Sequence, residues 1–122
     1  MGENIKNSDL IRKQCIELFS SKSIFYNCGT DLISKYKQIY SMPDVIAFLN
    51  DEELNNTAQV FFENNLNISL ASKKGFMHRN TLVYRLDKIK KILGLDIRNF
   101  NEAVVFENFL LFYDMIKNEL YN

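Results

Sequence analysis

The 122-residue chain has no tryptophan, one proline and four glycines. So few turn formers leave little punctuation for a many-stranded sheet and favour long helices. Cysteine is nearly as scarce. Cys15 and Cys28 have neither the number nor the spacing of a disulfide framework or a zinc site, and read as reduced thiols used as small apolar side chains. The single histidine, His78, has no second ligand at a chelating spacing, so no metal site is expected. Also missing are a carboxylate pair, a glycine-rich phosphate loop and a nucleophile elbow, which argues against an enzyme and against a cofactor. No apolar run approaches the roughly 18 residues that span a bilayer. The charged start, Met1 to Lys6, is not followed by a signal-peptide core, so the expectation is a soluble cytoplasmic protein with no membrane partner.

Net charge is absent as well, but its zero conceals a segregated layout. Between Asn67 and Leu93 stand seven basic residues against the single acid Asp87. Residues 1–66 carry six bases and nine acids, and residues 94–122 carry two and five. A layout of this kind turns one surface towards a polyanion.

Apolar spacing divides the chain into helices. Ser8 is placed to cap a helix from Asp9 to Ser20, with Leu10 or Ile11, Cys15, Leu18 and Phe19 inward. Ser20 to Asn27 reads as a linker ended by Cys28, Gly29 and Thr30. A second helix opens at Thr30 or Asp31, with Leu32, Ile33, Tyr36, Ile39 and Tyr40 on its apolar face, and Pro43 begins a short helix through Leu49. Asp51 to Asn64 follows, with Leu54, Ala58, Phe61 and Phe62 inward. Then come a turn over Asn64 to Asn67, a short helix from Ser69 to Lys74, a three-residue turn at Gly75, Phe76 and Met77, and a longer helix from His78 to Leu93 closed by Gly94 in the left-handed conformation. A last helix runs from Asn99 or Asn101 to Leu120. It is apolar nearly all round, and so demands cover on more than one side.

The segment from His78 to Leu93 carries the chemistry. At about 100° per residue, Leu82, Leu86, Ile89 and Leu93 share one narrow sector, which fixes the buried side. The opposite side holds Asn80, Thr81, Val83, Tyr84, Asp87, Lys88 and Lys91, with Arg79 and Arg85 at its borders. These groups suit duplex DNA. Arg79 can fork onto guanine O6 and N7, Asn80 can pair with adenine N6 and N7, and Val83 can touch a thymine methyl. Thr81, Tyr84, Arg85 and Lys88 suit phosphate oxygens, as do Ser69 and Lys73 of the preceding helix, while His78 stands at the helix start near a phosphate or a cap. A short helix, a tight turn and a polar helix N-terminus followed by basic residues stand in the order a helix-turn-helix requires.

Asn67-Ile68-Ser69, then His78-Arg79-Asn80-Thr81-Leu82, Tyr84-Arg85-Leu86, Lys88-Ile89 and Leu93-Gly94-Leu95-Asp96 together resemble the C-terminal DNA-binding domain of PucR/CdaR-type bacterial transcriptional regulators. The similarity covers about residues 51–120, and Arg79, Thr81 and Leu82 are also similar to the Fis-type motif. The resemblance implies a sequence-specific DNA-binding homodimer that controls transcription, with Arg79, Asn80, Thr81, Tyr84 and Arg85 towards DNA. Two departures stand out. Ser72 and Gly75 replace the family's alanine and bulky aliphatic where the two helices of the motif meet, leaving Phe76 and Met77 to fill the gap. Upstream, only about fifty residues precede the motif and they carry no ligand-domain signature, which fits either a stand-alone regulator or a piece of a larger one.

The expected architecture is therefore an all-α bundle containing a Fis-like helix-turn-helix. Residues 1–50 form an N-terminal helical extension, and residues 51–122 form the DNA-binding domain with a C-terminal packing and dimerisation helix. The expected partners are double-stranded DNA near the nucleoid and a second copy of the chain, joined through Val105, Phe109, Phe112 and Ile116. Two other readings use the same residues: a helical protein-interaction module with a merely solvated basic face, and a nucleoid-type architectural protein with little sequence preference. Any small-molecule effector, the target sequence and the sign of regulation leave no mark in the residues.

Overall fold

Three helix starts in this chain are set by short polar side chains that answer the orphan amides of the first turn. Asp51 Oδ1 accepts from the Leu54 amide at 3.0 Å, Asn67 Oδ1 from Leu70 at 2.9 Å, and Asn99 Oδ1 from Glu102 at 3.2 Å. A computed structural model describes residues 6–20 and 32–120. Among the described residues there are seven helices and no strand: α1 (Asn7–Phe19), α2 (Leu32–Tyr40), α3 (Pro43–Leu49), α4 (Glu52–Glu63), α5 (Ile68–Lys74), α6 (Arg79–Leu93) and α7 (Phe100–Leu120). The expected linker, Cys28, the Thr30 or Asp31 helix start, the first five residues and the side chains of Leu32 and Ile33 lie outside the described residues. None of the described helices is long and apolar enough to cross a membrane.

One expected cap is corrected. Ser8 lies inside α1, because the Lys6 carbonyl already accepts from the Asp9 amide at 3.0 Å and starts the helix earlier. On that helix Ile11 is buried, along with Cys15, Leu18 and Phe19, and Leu10 faces outward. Burial pushes the Cys15 thiol up to about 12, so it is an inert apolar filler.

A single cluster of buried side chains runs from α1 to α7 and crosses residue 50 without a break. Its aromatic part is carried by Phe19, Tyr40, Phe48, Phe106 and Phe109. The rings of Phe19 and Phe109 meet edge to face at 5.8 Å, Tyr40 stacks on Phe109 at 5.3 Å, and Phe48 meets Phe106 at 5.6 Å. Inside this cluster the Tyr40 hydroxyl donates to the Phe109 carbonyl at 2.7 Å, which satisfies a phenol whose pKa burial has raised.

The second side of α7 is covered by α1 and α2 of the same chain. Val105 and Phe109, expected at a twofold interface, are thus committed to the chain's own core, and Phe112 and Ile116 are half-buried against it. Leu111 and Met115 remain on the outer face.

Gly94 closes α6 with φ at 75°, and its amide donates to the Lys90 carbonyl at 2.8 Å. The close approach of α1 also requires glycine there, since a Cβ would lie 2.4 Å from the Ser8 carbonyl oxygen and 2.7 Å from Arg12 Cβ. Gly94→Ala is expected to lower the unfolding free energy by about 2 to 4 kcal/mol, from backbone strain plus a backbone clash, as read by urea denaturation. A loss under half a kilocalorie would show that α1 moves aside at no cost.

Candidate nucleic-acid interface

Leu82, Leu86, Ile89 and Leu93 are fully buried, which locks the rotation of α6 about its axis. Outward lie Arg79, Asn80, Tyr84, Asp87 and Lys88, all exposed, with Thr81 and Val83 half-buried at the margins. His78 caps the helix, its Nδ1 accepting from the Asn80 amide at 3.1 Å. Ser69 and Lys73 are exposed on α5. Among the described residues, the side chains of eight of the ten residues expected to face DNA, all except His78 and Arg85, make no hydrogen bond or ion pair.

Arg85 requires correction. Its guanidinium turns back to α4, where Nε pairs with Glu53 Oε1 at 3.3 Å and a terminal nitrogen lies 3.4 Å from Thr57 Oγ1 and 4.0 Å from Met77 Sδ. It is a strut between α6, α4 and the turn, with under a quarter of its side chain exposed. Sequence reading missed Glu53 because it lies 32 positions away, and no local pattern couples residues so far apart.

Asp87, the one acid on the outward side, is answered at 2.8 Å by Arg98, which also holds Asp96 at 2.8 Å. Burial alone would push the Asp96 carboxyl up, but hydrogen bonds and charge from Arg98, with Lys90 adding to them, hold it below the usual carboxylate value. The acid on this face is thus neutralised from behind. Among the described residues no acid pairs with Lys73, Lys74, Arg79, Lys88 or Lys91, so five exposed cations on α5 and α6 remain unpaired.

Of the two residues expected to fill the gap beside Gly75, only Met77 does so, together with Val60. A Cβ on Gly75 would lie 3.0 Å from Met77 Cε and 3.1 Å from Val60 Cγ1, so Met77 and Val60 already occupy the space, while Phe76 points to solvent. Ser72, the other departure, turns its hydroxyl onto the Ser69 carbonyl at 2.9 Å.

A short helix and a longer one joined by a tight turn, the second with a buried apolar seam and a cationic, amide-bearing outer side, define the helix-turn-helix class of DNA-binding proteins. Residues 54–110 match the family model of the PucR C-terminal helix-turn-helix domain. The chain is 34% identical to the protein YxkF of Bacillus subtilis over 70% of its own length and 27% of the relative's. It is 39% identical to the carbohydrate diacid regulator of Escherichia coli over 46% of the chain and 14% of that protein. It is 37% identical to the purine catabolism regulatory protein of Bacillus subtilis over 40% and 9% respectively. The chain thus spans about a quarter or less of the length of these relatives. No solved structure matches.

Replacing Arg85 with alanine should lower stability by about 1 to 2 kcal/mol, from lost packing and hydrogen bonding, and leave the salt dependence of DNA binding unchanged. A salt slope shallower by about one unit would instead place Arg85 on a phosphate.

Proposed function

We propose that the protein is a cytoplasmic, non-catalytic transcriptional regulator that binds a specific duplex as a homodimer, with α6 in the major groove. The observation that carries this reading is the locked rotation of α6, which leaves its amide, phenol and cationic side outward with its one acid neutralised. Arg79 and Asn80 read base edges at the N-terminal end of the helix, and Val83 meets a thymine methyl. Thr81, Tyr84 and Lys88 hold phosphates, joined by Ser69 and Lys73 from α5, and these contacts set register. His78 supports them by capping α6 and pre-setting the Asn80 backbone. The relatives' names, which include a DNA-binding transcriptional activator of Bacillus subtilis 30% identical over 80% of the chain, support the same reading.

The dimer reading rests on the outer side of α7, where Leu111 and Met115 are exposed beside half-buried Phe112 and Ile116. A rigid pair would present two recognition helices about 34 Å apart to successive turns of DNA.

Selection of bound duplexes from a random pool by the full chain should enrich a motif made of two related half-sites. Failure to enrich any sequence would refute the regulator, and diffuse binding would point to an architectural protein. Arg79→Ala should weaken binding to the enriched duplex by about 1 to 3 kcal/mol with the melting temperature unchanged. Met115→Glu should leave the chain folded, convert the dimer to a monomer in sedimentation, and reduce binding to a single weak half-site. A folded dimer in that variant would place the twofold contact elsewhere.

A further inference from the structure

Resting on the DNA-binding reading above, we propose that Phe76, at the turn between α5 and α6, is a DNA-contacting residue whose ring packs on the apolar wall of the duplex, made of deoxyribose and thymine methyl groups. The argument starts from how α5 ends. Its last turn closes with the Met77 amide donating to the Ser72 carbonyl at 3.0 Å and the Phe76 amide to the Lys73 carbonyl at 3.3 Å, the paired bonds of a Schellman motif. That motif needs one residue in the left-handed region, and the residue there is Phe76, at φ 52°.

The other described positions of positive φ are Asn65 and Leu66, both at 58°, at the end of α4, and Gly94, at 75°, at the end of α6. Asparagine and glycine tolerate that region, and the Leu66 side chain is part-buried against the core, so it has a place in the fold. At α5 a glycine lies one position too early, with Gly75 at φ −86°, which any residue can adopt. The chain therefore accepts backbone strain to hold an aromatic ring at this point. The ring gains nothing from the fold, since Phe76 is 96% exposed, the most exposed large apolar side chain among the described residues. Met77, its neighbour, is the one turned inward to fill the gap.

Its surroundings choose the occupant. Lys73 and Lys74 precede it and His78 and Arg79 follow, all exposed, with no acid between Asn67 and Asp87. A partner for this corner must carry negative charge and apolar surface together. The groove wall of duplex DNA does so, alternating phosphates with sugar carbons and thymine methyls.

Phe76→Gly removes the ring and relaxes the backbone, so structure and binding are expected to move in opposite directions. With the full chain and a duplex enriched from the random pool, affinity should fall about tenfold. The melting temperature should stay equal or rise, and the salt dependence should not change because no cation is lost. Phe76→Tyr, which keeps the ring, should bind within about twofold of the unmodified chain. Undiminished affinity in Phe76→Gly would overturn the proposal, as would a fall in affinity accompanied by a lower melting temperature. If the unmodified chain enriches no duplex, the DNA-binding reading itself fails, whereas an effect of Arg79→Ala without one of Phe76→Gly defeats the present proposal alone.

Discussion

The seam of Leu82, Leu86, Ile89 and Leu93 is the constraint on which the rest of the site depends. A helix presents a polar face to a ligand only if its rotation is fixed, and four fully buried branched side chains in one sector fix it. Rotating α6 out of this register would carry polar residues such as Lys88 towards the core, burying charge or amide without partners. The chemistry of the outer face is therefore held by the apolar chemistry of the inner one.

Both ends of that helix are fixed by polar contacts of different origin. At the start, His78 caps locally, its Nδ1 accepting from the Asn80 amide. At the end, Arg12 of α1 donates to the Gly94 carbonyl at 2.9 Å and forms an ion pair with Glu102 of α7, and Glu102 in turn accepts from the Asp96 amide at 3.1 Å. One arginine from the N-terminal helix thus ties together the end of the recognition helix and the beginning of α7. In the middle, Arg85 leans on Glu53 of α4. The N-terminal helices are consequently part of the support of the DNA-facing side, and they also cover the aromatic flank of α7 that would otherwise be left in water.

Much of this was legible in residue order. The boundaries of α4, α5 and α6 follow from Asp51, Asn67 and Gly94, because capping is decided within four residues. The outward positions of Asn80, Tyr84 and Lys88 follow from helical spacing. Positions on the border of a helical wheel were not legible. Arg79 and Arg85 stand symmetrically at the two edges of the same face, yet Arg79 is exposed and Arg85 is drawn to α4, because only one of them has an acid and a hydroxyl across from it. Asp87 reads as an acid on a cationic face until Arg98 is folded against it.

What the sequence by itself determined is local or periodic: the all-helical class, the ends of α4, α5 and α6, the inner seam of α6, and a basic segment flanked by acidic ones. Those depend on interactions spanning a few residues, or on a repeat that needs no partner. The tertiary structure decided which surfaces are left over. It assigned Val105 and Phe109 to the internal core, left Leu111 and Met115 outside, turned Arg85 into a strut and held Phe76 out in solvent. Each of those outcomes depends on which helix packs across from the residue, and that is set by burial of the whole apolar set at once rather than by any neighbour in the chain.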